Sequence, residues 1–156
     1  MPAPRILFFC MGNICRSPTA DGVMRAKLQA AGLHAEVDSA GTHGWHVGAP
    51  PDARSQAHAR RRGYDLSSLR ARQLVAEDFE RFDLVLAMDG DNLAHAEQLC
   101  PPGRRDRLNL LLDYAPQLGQ REVPDPYYGS DAGFEAVLDL VEAACDGLIA
   151  TELQRR

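Results

Sequence analysis

Residues 6–18 of the chain read Ile6-Leu7-Phe8-Phe9-Cys10-Met11-Gly12-Asn13-Ile14-Cys15-Arg16-Ser17-Pro18. The apolar run 6–9 is typical of a short buried strand. Ser17 followed by Pro18 predicts a helix that begins there, with Ser17 as its N-cap and Pro18 at the first helical position. Cys10 therefore stands at the end of a strand, and Arg16 stands at the start of a helix. The stretch predicts the strand, loop and helix that open an α/β fold.

The loop between Cys10 and Arg16 has the size to enclose one tetrahedral anion. Its backbone N–H groups, the helix N-terminus and the Arg16 guanidinium would all point inward. This positive field favours the thiolate form of Cys10, and a thiolate that faces a bound phosphoryl group is a nucleophile facing phosphorus. The alternative is a buried structural thiol, which leaves the residues that follow unexplained. The predicted binding residues of the loop are Met11, Gly12, Asn13, Ile14, Cys15 and Ser17.

The composition is that of an ordinary globular protein. The chain has 156 residues, 45% of them hydrophobic, and a formal net charge of −5. We expect a single domain over residues 1–156. The acidic balance argues against a nucleic-acid partner, and no apolar run is long enough for a membrane span. The start of the chain does not resemble a signal peptide, so we expect a cytoplasmic protein whose four cysteines are thiols.

Strand-like and helix-like segments alternate along the chain. This order predicts a three-layer α/β/α fold with a central four-stranded parallel sheet and a phosphate-binding loop between the first strand and the first helix. Gly32 is expected to end the first helix, and Asp52 to cap the second. The predicted strands are 6–10, 35–39, 84–88 and 108–112, and the predicted helices are 18–31, 53–62, 91–99 and 134–149.

Polar residues follow the predicted strands at the edge where ligands bind. In an open α/β sheet, ligands lie beyond the carboxyl ends of the strands. Cys10, Ser39 and Asp89 end or follow three of those strands, and Asp125 lies on the long loop after the fourth. These segments are expected to converge on one site.

Four motifs occur together in order: Cys10-x₅-Arg16-Ser17, Ser39-Ala40-Gly41-Thr42, Ala87-Met88-Asp89 and Asp125-Pro126-Tyr127-Tyr128-Gly129. With them the chain resembles the low-molecular-weight protein tyrosine phosphatase family over almost its full length. The resemblance implies hydrolysis of aryl phosphate monoesters through a cysteinyl-phosphate intermediate. It implies a phosphotyrosine-containing protein or a small aryl phosphate as substrate and inorganic phosphate as product. No cofactor and no metal would be required.

The resemblance assigns three catalytic roles. Cys10 is the expected nucleophile, and Arg16 is expected to hold two phosphoryl oxygens with its planar fork. Asp125 is the expected general acid, because Pro126 restricts its backbone and a carboxylic acid above the pocket can protonate the leaving phenolate. On its own, Asp125-Pro126 would instead be interpreted as a surface turn. Asp89 is a rival acid, to which we assign support of Arg16 or of the loop.

The loop is expected to depend on a set of supporting contacts. Gly12 and Asn13 are expected to adopt positive φ, which turns N–H groups inward. The resemblance implies that Asn13 anchors the loop to neighbouring polar groups and that Ser39 is one such partner, although turn chemistry alone also explains a serine there. The Ser17 hydroxyl is expected to donate to the Cys10 sulfur. Several family members place a histidine near this serine, where the present chain has Leu69.

The remaining candidates concern the walls of the pocket. Trp45, Tyr127 and Tyr128 suit an aryl-accepting cleft, and Trp45 is expected to be exposed. The tyrosines have loop packing as their alternative. Ile14 favours phosphotyrosine, since related arginine phosphatases carry Thr there. Cys15 either forms a protective disulfide with Cys10 or fills space under the loop, and the sequence favours neither.

Two other functions compete with the phosphatase. Thioredoxin-coupled arsenate reductases resemble the same fold and loop, but that chemistry needs further cysteines close together, whereas Cys100 and Cys145 are far apart in sequence. A non-catalytic phosphate-binding module would not need Cys10, Arg16 and Asp125 together. The sequence therefore favours catalysis.

Overall fold

A computed structural model describes residues 3–154 of the chain. Its sheet has four strands in the order β2-β1-β3-β4, and every neighbouring pair is parallel. The strands are β1 (Arg5–Cys10), β2 (Glu36–Gly41), β3 (Leu84–Ala87) and β4 (Leu108–Leu110). The α-helices are α1 (Arg16–Ala31), α2 (Ala53–Arg61), α3 (Asp78–Arg81), α4 (Gly90–Leu99) and α5 (Asp131–Leu148).

The central strand β1 supplies side chains to both faces of the sheet. Ile6 and Phe8 pack in one apolar cluster with residues of α1 and α5. Leu7 and Phe9 pack in a second cluster with residues of α3 and α4. This is the alternation that a fully buried strand requires when helices cover both faces. The predicted three-layer α/β/α fold with a four-stranded parallel sheet is confirmed.

The first helix begins earlier than predicted. It starts at Arg16, with Cys15 in the N-cap position and no side-chain cap. The prediction that Ser17 caps this helix is wrong, because the Ser17 side chain contacts Cys10 and Asn13 instead. The predicted end is confirmed, since Gly32 adopts the left-handed conformation with φ 68°.

The second helix begins as predicted. The Asp52 carboxylate accepts hydrogen bonds from the backbone N–H groups of Arg54 and Ser55, so Asp52 is the N-cap of α2.

The ends of the second and fourth strands each differ from the prediction by two residues. The fourth strand was expected over residues 108–112, but it ends at Leu110, and residues Leu111–Tyr114 form a 3₁₀ turn. Leu111 and Leu112 are buried in this 3₁₀ turn. A short apolar run is compatible with a buried strand and with a buried helical turn, so periodicity alone could not distinguish them. The second strand extends to Gly41, where it lies beside the end of β1. The short helix α3 was not predicted.

Within residues 3–154, no helix is both long enough and apolar enough to cross a bilayer.

Candidate active site

A cavity of about 370 Å³ opens at the carboxyl end of β1. It brings together most of the predicted binding and catalytic residues, from the loop after β1, the loop around Trp45 and the loop around Asp125. His46, which belongs to none of the four motifs, also lines the cavity. The cavity is lined by Cys10, Met11, Gly12, Ile14, Cys15, Arg16, Trp45, His46, Asp125, Tyr127 and Tyr128.

The loop between Cys10 and Arg16, called the anion loop below, uses two of its carbonyl groups to bind neighbouring segments. The carbonyl oxygens of Met11 and Ile14 accept hydrogen bonds from His43 and Asp52, at 3.0 and 2.8 Å. In the part of the chain that the structure describes, no backbone N–H group of residues 11–15 donates to a protein acceptor. The N–H groups of the loop are therefore available to an anion, as in other concave backbone nests.

One residue of the loop and one of β2 make this conformation possible. Asn13 has φ 58°, as predicted, whereas Gly12 is not among the residues with positive φ, so that half of the prediction is wrong. Gly41 is needed for close approach: a Cβ atom there would lie 2.8 Å from the Met11 carbonyl oxygen and 3.1 Å from the Asn13 nitrogen. The tip of β2 thus packs directly against the loop.

A buried hydrogen-bond network ends on the Cys10 sulfur. The Asn13 side-chain amide donates to the hydroxyl oxygens of Ser17 at 2.7 Å and Ser39 at 3.0 Å. The Ser17 oxygen lies 3.0 Å from the sulfur. Because Ser17 accepts from Asn13, its single hydrogen is left for the Cys10 sulfur or for the Ala40 carbonyl oxygen, which lies farther away at 3.4 Å.

Arg16 is buried behind the loop, with only 1% of its surface exposed. Its Nη1 donates to Asp89 at 2.6 Å and to the Val123 carbonyl at 2.9 Å. Burial works against the charge, but the negative charge of Cys10 and the contact with Asp89 outweigh it and raise the pKa of Arg16. Asp89 also caps α4, through the N–H of Asn92. Arg16 is therefore a permanent cation held beside the thiol.

Asp125 lies at the mouth of the cavity. Its side chain is 41% exposed, and one oxygen lies 3.8 Å from Nη2 of Arg16. The other oxygen accepts a hydrogen bond of 3.0 Å from the backbone N–H of Tyr127. Asp125 can thus reach both the anion position and the solvent, while Asp89 is tied to Arg16 and to the start of α4.

The aromatic residues form an exposed wall. Trp45 is 68% exposed, as predicted, and stacks on His43 with ring centroids 4.2 Å apart. Tyr127 and Tyr128 pack edge to face, and Tyr128 is 95% exposed. Large apolar side chains left in solvent around a cavity are suited to contact with a ligand.

The other cysteines differ from Cys10 in their surroundings. Burial raises the pKa of Cys15 to about 12, although a hydrogen bond with Ser55 opposes the shift. Cys145 is fully buried in the core beside α1, and burial raises its pKa as well. Leu69, at the position where several relatives have histidine, packs against the same core.

The fold and the loop together define an α/β protein with a cysteine at the base of a concave backbone loop, at the carboxyl end of a parallel sheet. The chain belongs to the low molecular weight phosphotyrosine protein phosphatase family, whose family model matches residues 5–156. The resemblance found in the sequence is thus confirmed, and with it the enzyme class of protein-tyrosine-phosphatases.

Three relatives illustrate the similarity. The low molecular weight protein-tyrosine-phosphatase of Streptomyces coelicolor is 46% identical, over 94% of this chain and 92% of its own. The crystal structure of an Entamoeba histolytica protein tyrosine phosphatase, with Hepes in its active site, is 39% identical with a TM-score of 0.91, over 95% and 96% of the two chains. The Drosophila arginine phosphatase structure is 29% identical with a TM-score of 0.89, over 97% and 99%.

Proposed function

We propose that this enzyme hydrolyses aryl phosphate monoesters through a phosphorylated Cys10. The observation that carries the proposal is the position of the Cys10 sulfur. It lies 3.0 Å from the Ser17 hydroxyl, at the base of a loop whose N–H groups are free and beside a buried arginine. A thiolate in such a site faces any phosphoryl group that the loop binds.

In the first step, the Cys10 thiolate attacks phosphorus. An S–P bond forms, the P–O bond to the phenol breaks, and Asp125 gives its proton to the departing oxygen. Asp89 and Val123 occupy Nη1 of Arg16, which leaves the edge formed by Nε and Nη2 to hold two phosphoryl oxygens. That edge and the loop N–H groups stabilise the charge on the equatorial oxygens.

In the second step, water attacks the phosphorus of the intermediate. The Asp125 carboxylate accepts a proton from this water, a new O–P bond forms, and the S–P bond breaks. Ser17 stabilises the departing thiolate through the hydrogen bond to the sulfur. Inorganic phosphate leaves, and the protonated Asp125 is ready for the next cycle. The positive charge comes from Arg16 and backbone groups, so the reaction requires no metal or cofactor.

The substrate class follows from the cavity wall. Trp45, Tyr127 and Tyr128 offer aromatic surface to an aryl ring, which favours a phosphotyrosine-containing protein or a small aryl phosphate. One structural relative is named as an arginine phosphatase, so the choice between the two substrates depends on the cavity. Ile14 lines it with an apolar side chain, which favours phosphotyrosine.

Three further points belong to this proposal. The whole chain acts as one catalytic domain, since the family match spans residues 5–156. It acts in the cytoplasm, where a reducing environment keeps Cys10 a free thiol.

Arsenate reduction is disfavoured, because a relay through Cys145 would have to expose a side chain buried in the core.

The test is hydrolysis of an aryl phosphate, a phosphotyrosine peptide and a phosphoarginine peptide at mildly acidic pH with EDTA present. We expect metal-independent turnover of the first two, and its loss in Cys10→Ser. Preference for phosphoarginine would overturn the substrate assignment. Absence of turnover by the freshly reduced enzyme would overturn the proposed function.

A further inference from the structure

Arg54 lies beside the cavity without lining it, and no sequence motif singled it out. It stands in the first turn of α2, and its Nη2 donates to the backbone carbonyl of Tyr127 at 2.9 Å. These two residues are 73 positions apart in the chain. The contact therefore joins the start of α2 to the loop that carries Asp125.

The other side of Arg54 is tied to the anion loop through Asp52. Nε and Nη2 of Arg54 donate to the two Asp52 oxygens at 3.2 and 3.1 Å. The backbone N–H of Asp52 donates to the Ile14 carbonyl at 2.8 Å. Burial opposes the negative charge of Asp52, but the hydrogen bonds from Arg54 and the helix start outweigh it and lower the pKa of this carboxyl. Asp52 is thus a fixed anion that anchors Arg54 to the loop.

Two aromatic rings hold the guanidinium in place. It lies 4.8 Å from the ring centroid of Phe134 and 5.6 Å from that of Tyr127. Phe134 is a core residue of α5, with 3% of its surface exposed. A planar cation between such rings keeps one orientation more firmly than a flexible ammonium does.

Tyr127 connects Arg54 to the general acid. Its carbonyl accepts from Arg54, and its N–H donates to Asp125 at 3.0 Å. Residues 119–130 contain no helix or strand, so local secondary structure does not fix the position of Asp125. We propose that Arg54 is a positioning residue for the general acid and that it acts on Asp125 through the backbone of Tyr127. This inference rests on the proposed function.

The proposal has a distinct kinetic signature. The Arg54 side chain is 44% exposed, and ion pairs at that exposure add little to stability. Loss of Arg54 should instead weaken proton transfer to the leaving group. Phenols of high pKa need that proton, whereas activated phenols such as 2,4-dinitrophenol leave without it. The dependence of kcat/KM on leaving-group pKa should therefore become steeper.

The experiment compares Arg54→Met and Arg54→Lys with the parent enzyme across a series of aryl phosphates. We expect kcat/KM to fall about 10-fold or more for phenyl phosphate and a phosphotyrosine peptide, within the range that general acid catalysis supplies. For 2,4-dinitrophenyl phosphate we expect a change of about 2-fold or less. Arg54→Lys should lie between the parent and Arg54→Met.

Two variants serve as references. Arg60→Met removes the same charge from an exposed position of α2 and should leave every rate unchanged. Asp125→Asn sets the full loss of the general acid. An equal loss for all substrates in Arg54→Met, or an increase in KM alone, would overturn the positioning role, as would parent-like rates in both Arg54 variants. If Asp125→Asn itself showed no leaving-group dependence, the proposed function would fail first.

Discussion

At the scale of single residues, the site depends on how Arg16 divides its contacts. One nitrogen faces Asp89 and the Val123 carbonyl, and this orients the opposite edge toward the cavity. A lysine has no such edge, because its ammonium is a point charge on a flexible stem. The planar fork, rather than the charge alone, is what the proposed chemistry uses.

Replacement of Arg16 by lysine tests this point. Because the bidentate hold on the phosphoryl oxygens is lost, we expect Arg16→Lys to lower kcat/KM about 10²–10³-fold, the size seen when one oxyanion donor is removed. Steady-state kinetics with a phosphotyrosine peptide measure it, and Arg60→Lys is the matched surface control. An Arg16→Lys enzyme within a few-fold of the parent would show that charge alone suffices.

The thiols of the loop are expected to differ in reactivity. Burial raises the pKa of Cys15 to about 12, so at neutral pH Cys15 stays protonated and is a poor nucleophile. At pH 7 we expect iodoacetamide to modify Cys10, with protection by inorganic phosphate, and to leave Cys15 unmodified, as mapped by peptide mass spectrometry. Alkylation of Cys15 at the rate of Cys10 would contradict the environment described for it.

The residue scale also marks the limit of prediction from sequence. Cys10, Arg16 and Asp125 were identified by motifs, and the positions of Ser39 and Asp89 after strands predicted only that both face the edge of the sheet where Cys10 lies. The contacts of Arg54 and Val123 were not predicted. Arg54 donates to the backbone carbonyl of Tyr127, and the backbone carbonyl of Val123 accepts from Arg16, and the partners in both contacts are far apart in the sequence. Every residue has a backbone carbonyl group, so the residue type does not indicate which carbonyl will accept a hydrogen bond. Such contacts are seen only in the folded structure.

At the scale of elements, the helix ends show which local signals are strong. Asp52 and Gly32 were predicted as caps and occupy those positions. Ser17 was not a cap, since the adjoining loop uses its hydroxyl for the network around Cys10. Residue type therefore predicted the helix caps correctly away from the Cys10 network. It failed at the anion loop, where that network engages the side chain of the expected cap.

The packing of α5 on the 3₁₀ turn after β4 gives a stability prediction. A Cβ atom at Gly147 would lie 1.8 Å from the Tyr114 carbonyl oxygen, so the two backbones must separate. We expect Gly147→Ala to lower the free energy of unfolding by about 1–3 kcal/mol or more, measured as a shift of the urea midpoint.

The matched control for Gly147→Ala is Gly133→Ala in the first turn of the same helix. There the atoms nearest to the new Cβ would be Cβ and Cα of Pro126, at an ordinary 3.6 and 3.9 Å. Alanine's better helix propensity should therefore leave stability unchanged or add up to about 1 kcal/mol. Equal midpoints for the two variants would contradict the close packing at Gly147.

At the scale of the whole molecule, the sheet explains why distant motifs meet. All strands are parallel, so the loops after β1, β2 and β3 open at one edge, and the loop of Asp125 closes over it. The alternation of elements was enough to predict this convergence. The distances within the site were not predictable, because they depend on loop backbones such as that of Asn13.

The central claim is that Cys10 carries the phosphoryl group, and trapping the intermediate tests it most directly. Asp125→Asn should form the intermediate from 2,4-dinitrophenyl phosphate, which needs no acid, and should hydrolyse it slowly for lack of a base. Rapid acid quenching and mass spectrometry would then show one added phosphoryl group on Cys10, and none in Cys10→Ser. A phosphoryl group on any other residue, or turnover that persists in Cys10→Ser, would contradict the account.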